Sequence, residues 1–250
     1  MLFRSLGDLK LYSRSAVYER LGFKNLIADD KQATKKPSVN EKYGVFPSDD
    51  STYQNILDNI NTKENQFFSV VTYQNHTPWS MSEPVELGGQ GEGFSDAENE
   101  RLSHYSRLVK HTDTATKEFL DNLSKIDKDI TVVFYGDHLP GFYPNSAFKK
   151  DPDSQYLTDY FIWSNHNNEK KDYPEVNSSD FPAAVLAHTN SRVSPYYALL
   201  TDILDDASVD KKELTKEQQS IADDLKLVQY DLVSGQYYLK NYPDFFKMSN

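Results

Sequence analysis

The apolar positions gather into three short unbroken runs separated by longer amphipathic stretches. Residues 67–73, 130–135 and 160–163 are rich in β-branched and aromatic side chains, and each run predicts a strand; the first suits a strand buried on both faces. Between the first two, Ser95-Asp96-Ala97-Glu98 forms a capping box. It opens a helix to about residue 127, with Leu102, Tyr105, Leu108, Ala115, Phe119 and Leu123 at helical spacing. Shorter helices are expected over 16–23, closed by Gly22, and over 52–63, capped by Ser51 or Thr52. Two more are expected at about 181–190 and 194–206, the last with Pro195 in its first turn.

Residues 24–50 are polar, carry Pro37 and Pro47, and read as a loop. Residues 228–239 read as a β-hairpin turning near Ser234-Gly235. The first eight residues lead into a helix-like run with no strand before it, and they lack the apolar core of a secretory signal. Alternation of strand, helix and strand points to an α/β fold: a partly parallel sheet with flanking helices, plus a small C-terminal β-hairpin region. The organisation expected is residues 1–208 as one unit and 209–250 as a helix and β-hairpin subdomain.

Composition narrows the function. A chain of 250 residues with 38% hydrophobic and 13% aromatic residues has enough apolar material for a core. Its 27 basic and 38 acidic residues leave a net charge of −11, which argues against a nucleic-acid partner and against unaided binding to an anionic membrane. The absence of Cys excludes disulfides, thiolate metal sites and cysteine nucleophiles within these residues. No apolar run approaches the ~20 residues that span a bilayer.

Open α/β sheets place ligands at the carboxyl ends of their strands. Two expected strands end in histidine-bearing polar loops, Asn75-His76-Thr77 and Gly136-Asp137-His138. Asp137 and His138 are good ligands for Mn²⁺, Mg²⁺ or Zn²⁺, and Gly136, Pro140 and Gly141 supply the chain break that lets both reach one ion. The local pattern alone fits a strand-end turn with a capping Asp equally well. His76 reads either as a proton donor to an oxyanion or as a loop histidine bonded to backbone. Arg14 suits bidentate phosphate binding, though a lone Arg is usually a surface group. His104 and His111 lie seven residues apart on one face of the long helix and read as solvated or half-buried; His166 and His188 read likewise. The glycines at 88–93 lack a preceding strand and a following Lys, so they are not read as a phosphate cradle. No Gly-x-Ser-x-Gly or His-Glu-x-x-His segment occurs.

At residues 68–79 and at Tyr135-Gly136-Asp137-His138 the chain resembles the lipoteichoic acid synthase family, a sulfatase-like branch of the alkaline phosphatase superfamily. Residues 11–23, His111-Thr112-Asp113, residues 194–200 and Gln229-Tyr230-Asp231 extend the likeness over nearly the whole chain. The resemblance implies a metal-dependent phosphoglycerol transferase on the extracellular face of a bacterial cell membrane. Phosphatidylglycerol would be the donor and a glycerophosphate polymer of the cell envelope the acceptor. It implies Asp137 and His138 as ligands of one Mn²⁺ or Mg²⁺ ion, His76 as the group on the phosphoryl, and Arg14 with Tyr12 as the phosphate-binding pair. Tyr12 stands where the family usually has Trp, Ser13 where it has Asn, and Leu139-Pro140 departs from the common loop. The family's nucleophilic Thr and a further acidic ligand precede the Arg motif, so the resemblance implies the C-terminal half of a catalytic domain, inactive alone, with an incomplete metal site and a sheet edge open to self-association. The alternatives are a sulfatase or phosphodiesterase of the same superfamily, or a non-catalytic cell-envelope binding domain.

Overall fold

The structure, a computed structural model, describes residues 2–4, 13–79, 88–166 and 169–248. They form a mixed α/β protein with small sheets and flanking helices, in two compact units.

The first unit comprises Met1–Lys128 and Gly136–Thr158. Strand β1 (Leu2–Arg4) is followed by helix α1 (Arg14–Arg20) and strand β2 (Leu26–Ile27). A short hairpin joins β3 (Lys42–Tyr43) to β4 (Phe46–Pro47) through Gly44, whose φ of +70° is the left-handed conformation glycine tolerates. Helix α2 (Asp49–Leu57), strand β5 (Ser69–Val71) and the long helix α3 (Asp96–Leu123) complete the regular elements. The main sheet has the order β2-β1-β5 and is parallel throughout. Ser48 caps α2 by accepting from Ser51 N at 3.1 Å, and Asp49 and Asp50 add negative charge to its first turn. The expected capping box of Ser95 and Glu98 starts α3. Leu108, Ala115, Phe119 and Leu123 form the buried stripe of α3, and Tyr53 of α2 stacks on Phe119 at 4.6 Å.

The second unit comprises Asp129–Tyr135 and Asp159–Asn250. Strands β6 (Thr131–Tyr135) and β7 (Tyr160–Ser164) pair antiparallel in full register, Thr131 opposite Ser164 and Tyr135 opposite Tyr160. Helices α4 (Phe181–His188), α5 (Pro195–Asp206) and α6 (Lys216–Val233) follow. Ala183, Ala184 and Leu204 form the core here, with Ile162, Tyr173, Val176 and Leu200 packed against it. Ser164 Oγ meets His188 Nε2 at 2.9 Å, a buried pair that joins β7 to α4.

Four expectations are corrected. Residues 228–239 do not form a hairpin: α6 continues to Val233, and short 3-10 turns follow at Tyr238–Asn241 and Pro243–Phe246. The Thr215–Gln218 capping box nucleates this helix, and nothing breaks it before Gly235, where an added Cβ would lie 2.7 Å from the Asp231 Cα. Leu2–Arg4 forms a strand, against the reading of a start without one. The loop read over 24–50 contains β2, β3 and β4. The run at 67–73 yields a strand of only three residues, half-buried at the sheet edge, with Phe67 72% exposed. Among the described residues no helix is long and apolar enough to cross a membrane.

Candidate active site

All of the described candidate residues lie in the first unit. Asp137 and His138 follow β6 in the chain and are exposed, with the Asp137 carboxylate Oδ2 3.8 Å from His138 Nε2. Asp137 Oδ1 also accepts the His138 backbone N–H at 3.0 Å. His138 Nδ1 lies 2.8 Å from the Leu139 carbonyl. A carbonyl only accepts, so Nδ1 donates to it, and Nε2 is the ring nitrogen on the side of the carboxylate. Holding one ring nitrogen on a carbonyl so that the other can bind an ion is how ligating histidines are oriented. Bonds of about 2.1 Å from an ion to His nitrogen and carboxylate oxygen put those atoms about 3–4 Å apart, so the donor pair fits one divalent ion. Among the described residues no group of three or more His, Cys, Asp or Glu gathers, so this pair stands without a third such ligand.

His76 has the same local arrangement. Its Nδ1 meets the Thr77 carbonyl at 2.7 Å, which leaves Nε2 to the exterior. The ring stacks on Tyr73 at 5.1 Å and meets Phe46 edge-on at 5.6 Å. Two aromatic walls and one hydrogen bond thus fix an exposed imidazole in one orientation.

An aromatic cluster staples the two histidine loops together. Trp79, three residues beyond His76, packs on Phe142 at 4.8 Å, and Tyr105 of α3 lies against both at 6.3 and 6.1 Å. Phe142, four residues beyond His138, is 6% exposed. Burial raises the Tyr105 hydroxyl above the usual tyrosine range, and the charges of Tyr143 and Asp137 add to the shift. Arg14 is the first residue of α1 and is half-buried; Ser13 before it adopts a left-handed backbone with φ of +51°. Tyr12, its expected partner, lies outside the described residues.

Behind His76 lies a buried polar network that sequence reasoning missed. Gln74, 1% exposed, accepts the Asp49 backbone N–H at 3.0 Å and donates to the Leu108 carbonyl at 3.1 Å and to Thr112 Oγ1 at 3.0 Å. Asn75 Nδ2 donates to the same Thr112 hydroxyl at 2.9 Å, and that hydroxyl donates to Asp49 Oδ2 at 2.6 Å. His111 stacks on Tyr43 at 3.8 Å, with Nδ1 3.0 Å from Gln74 Oε1 and Nε2 3.1 Å from Asp50 Oδ2. Asp49 is fully buried, and its Oδ1 has no hydrogen-bond partner among the described residues. Burial pushes its carboxyl up from 3.8 to about 6; the Thr112 hydrogen bond opposes that shift and the Asp50 charge adds to it. The same burial raises the Tyr53 hydroxyl, with the Asp49 charge second. The available signal was the pair Gln74-Asn75, two amides at the end of an apolar run directly before a histidine.

Comparison with known proteins gives the family of the chain. A family model described as Sulfatase matches residues 5–191. The solved structure of the Streptococcus pyogenes phosphoglycerol transferase GacH in complex with sn-glycerol-1-phosphate matches at 50% identity and a TM-score of 0.93, over 97% of this chain and 63% of that one. A Rhizobium meliloti protein named for cyclic β-1,2-glucan modification is 24% identical over 91% of this chain and 39% of its own length. The capsular polysaccharide biosynthesis protein RkpI of the same organism is 30% identical over 62% of this chain and 26% of its own. The chain therefore spans less than two-fifths of each of these two relatives.

Proposed function

The chain belongs to the sulfatase family, and from that premise we propose that it contributes to a metal-dependent phosphoglycerol transfer site of the kind that builds cell-envelope polymers. Asp137 and His138 hold a Mn²⁺ or Mg²⁺ ion there, and further ligands come from groups outside the described residues. When bound, the ion supplies positive charge to the phosphoryl oxygens. His76, with Nδ1 held by Thr77, presents Nε2 to a phosphoryl oxygen or to the leaving oxygen, where the protonated ring donates. Arg14 offers a guanidinium fork to the same phosphate. A phosphoryl group gathers charge as its bonds rearrange, so a cation, a guanidinium and an imidazolium around it lower the barrier together.

The donor of this reading is phosphatidylglycerol, the acceptor a glycerophosphate polymer, and the place of action the extracellular face of a bacterial membrane. The observation that carries the reading is the extent of the likeness to the streptococcal phosphoglycerol transferase. Its test is calorimetric titration of the chain with sn-glycerol-1-phosphate in Mg²⁺ and in EDTA, with Arg14→Ala and His76→Ala beside the wild type. Metal-dependent binding weakened by both substitutions is expected. Equal binding by all three proteins would sink the assignment.

A further inference from the structure

We propose that Gln74 and Thr112 are positioning residues for His76, acting as a clamp that fixes the loop on which the imidazole stands. The inference rests on the reading of His76 as the group that meets the phosphoryl, and it assigns a role to a buried amide and a half-buried hydroxyl that lie behind the loop.

Gln74 has no conformational choice. Its Oε1 accepts from Asp49 N and His111 Nδ1, each at 3.0 Å, while its Nε2 donates to Leu108 O and Thr112 Oγ1 at 3.1 and 3.0 Å. Two acceptor sites and two donors are the full capacity of a primary amide, and the Asp49 N–H and the Leu108 carbonyl admit only one orientation of it. Thr112 is saturated in the same way. Its hydroxyl donates to Asp49 Oδ2 and receives the amides of Gln74 and Asn75, which uses its one proton and both lone pairs. The two residues that precede His76 in the chain therefore end on one hydroxyl of α3. On the other side, the Asn75 carbonyl receives Trp79 Nε1 at 2.9 Å and closes the loop over His76. His111 passes the clamp on to Asp50 of α2 and is itself held flat by Tyr43. The ring itself is held by Thr77, Tyr73 and Phe46, and the loop that carries it is tied on one side to buried Gln74 and half-buried Thr112 and on the other to half-buried Trp79, which is the support a precise site requires.

Removing the Thr112 hydroxyl strands one buried and one half-buried amide donor and one carboxylate oxygen at once, so the loop must shift to find other partners. The test uses the 250-residue chain labelled with ¹⁵N-histidine, as wild type, Thr112→Val, Thr112→Ser, Asn75→Ala and His76→Ala. Two quantities are read: the ring-nitrogen signals of His76 without ligand, and affinity for sn-glycerol-1-phosphate in Mg²⁺. Calorimetric melting identifies any variant that fails to fold; Asn75→Ala, which cuts one arm of the clamp, carries the test if Thr112→Val is such a variant. The clamp gives a wild-type ring with its proton on Nδ1. It gives mixed ring signals and about tenfold weaker affinity in Thr112→Val or Asn75→Ala, with both restored by Thr112→Ser. A folded Thr112→Val with wild-type ring signals and affinity within about twofold would overturn the proposal. If His76→Ala binds as tightly as wild type, the phosphoryl-contact reading fails instead, and the ligand-free ring signals still decide whether the clamp exists.

Discussion

Asp49 makes the stability of the first unit depend on pH in a direction opposite to that of most paired carboxylates. Its carboxyl is fully buried and raised from 3.8 to about 6, with desolvation as the main cause. The folded state therefore binds a proton more tightly at this site than the unfolded chain does. Below about pH 4 both states hold the proton and the group costs nothing. Between about pH 4 and pH 6 the unfolded chain ionises first, so this group's contribution to stability falls as pH rises. Above about pH 6 the loss is complete. A shift of about two units corresponds to about 3 kcal/mol, and about 2 kcal/mol of it falls between about pH 4.5 and pH 7.5. The perturbation is Asp49→Asn, which keeps an oxygen for the Thr112 hydroxyl and removes the titration. The assay is urea unfolding of both proteins across that range, read as the difference between them, in which other shared titrations cancel. Relative to the variant, the wild type should lose about 2 kcal/mol between the two ends. Parallel curves, or a wild type that gains on the variant as pH rises, would show that the carboxyl is not held above its ordinary range.

Phe142→Ala should cost about 3 kcal/mol by cavity formation and should shift the emission of Trp79, whose ring packs on Phe142 at 4.8 Å; an unchanged spectrum would count against the aromatic staple. Leu204→Ala, in the core of the second unit, should cost a similar amount, about 3 kcal/mol in thermal or urea unfolding, without changing Mg²⁺ affinity. Thr215→Ala removes the cap of α6 and should cost about 1 kcal/mol with loss of helical circular dichroism; no change in the helical signal would favour the hairpin reading over the helix.

The elements most legible in the sequence are those whose signals are local. The β-branched run at 131–135, the capping box at Ser95 and the Ser194-Pro195 start of α5 each carry their own instruction, and each forms as expected. The tail is ambiguous because Val228, Tyr230 and Leu232 alternate with polar residues while Ile221, Leu225, Val228 and Leu232 fall at helical spacing. No residue of α6 is buried, so no strong apolar face separated the two. The antiparallel pairing of β6 with β7 was also hidden, because strand direction is set by a partner elsewhere in the chain.

The same distinction runs through the candidate site. Asp137 and His138 were visible as neighbours in sequence, and their geometry needs only one turn of backbone. The clamp behind His76 joins Asp49 to Gln74 across 25 residues and Thr112 to Asp49 across 63. Read alone, Asp49 and Asp50 look like ordinary first-turn acids favoured by the helix dipole. Only packing against α3 turns one of them into a buried titratable group.

The central claim is that Asp137 and His138 hold a divalent ion that a glycerophosphate then meets. Mn²⁺ titration of the chain, followed by water-proton relaxation with and without sn-glycerol-1-phosphate, tests it directly. The account predicts Mn²⁺ binding that strengthens when the phosphate is present and that is lost in both Asp137→Asn and His138→Gln. Mn²⁺ binding of equal strength in the wild type and both variants, indifferent to the phosphate, would contradict it.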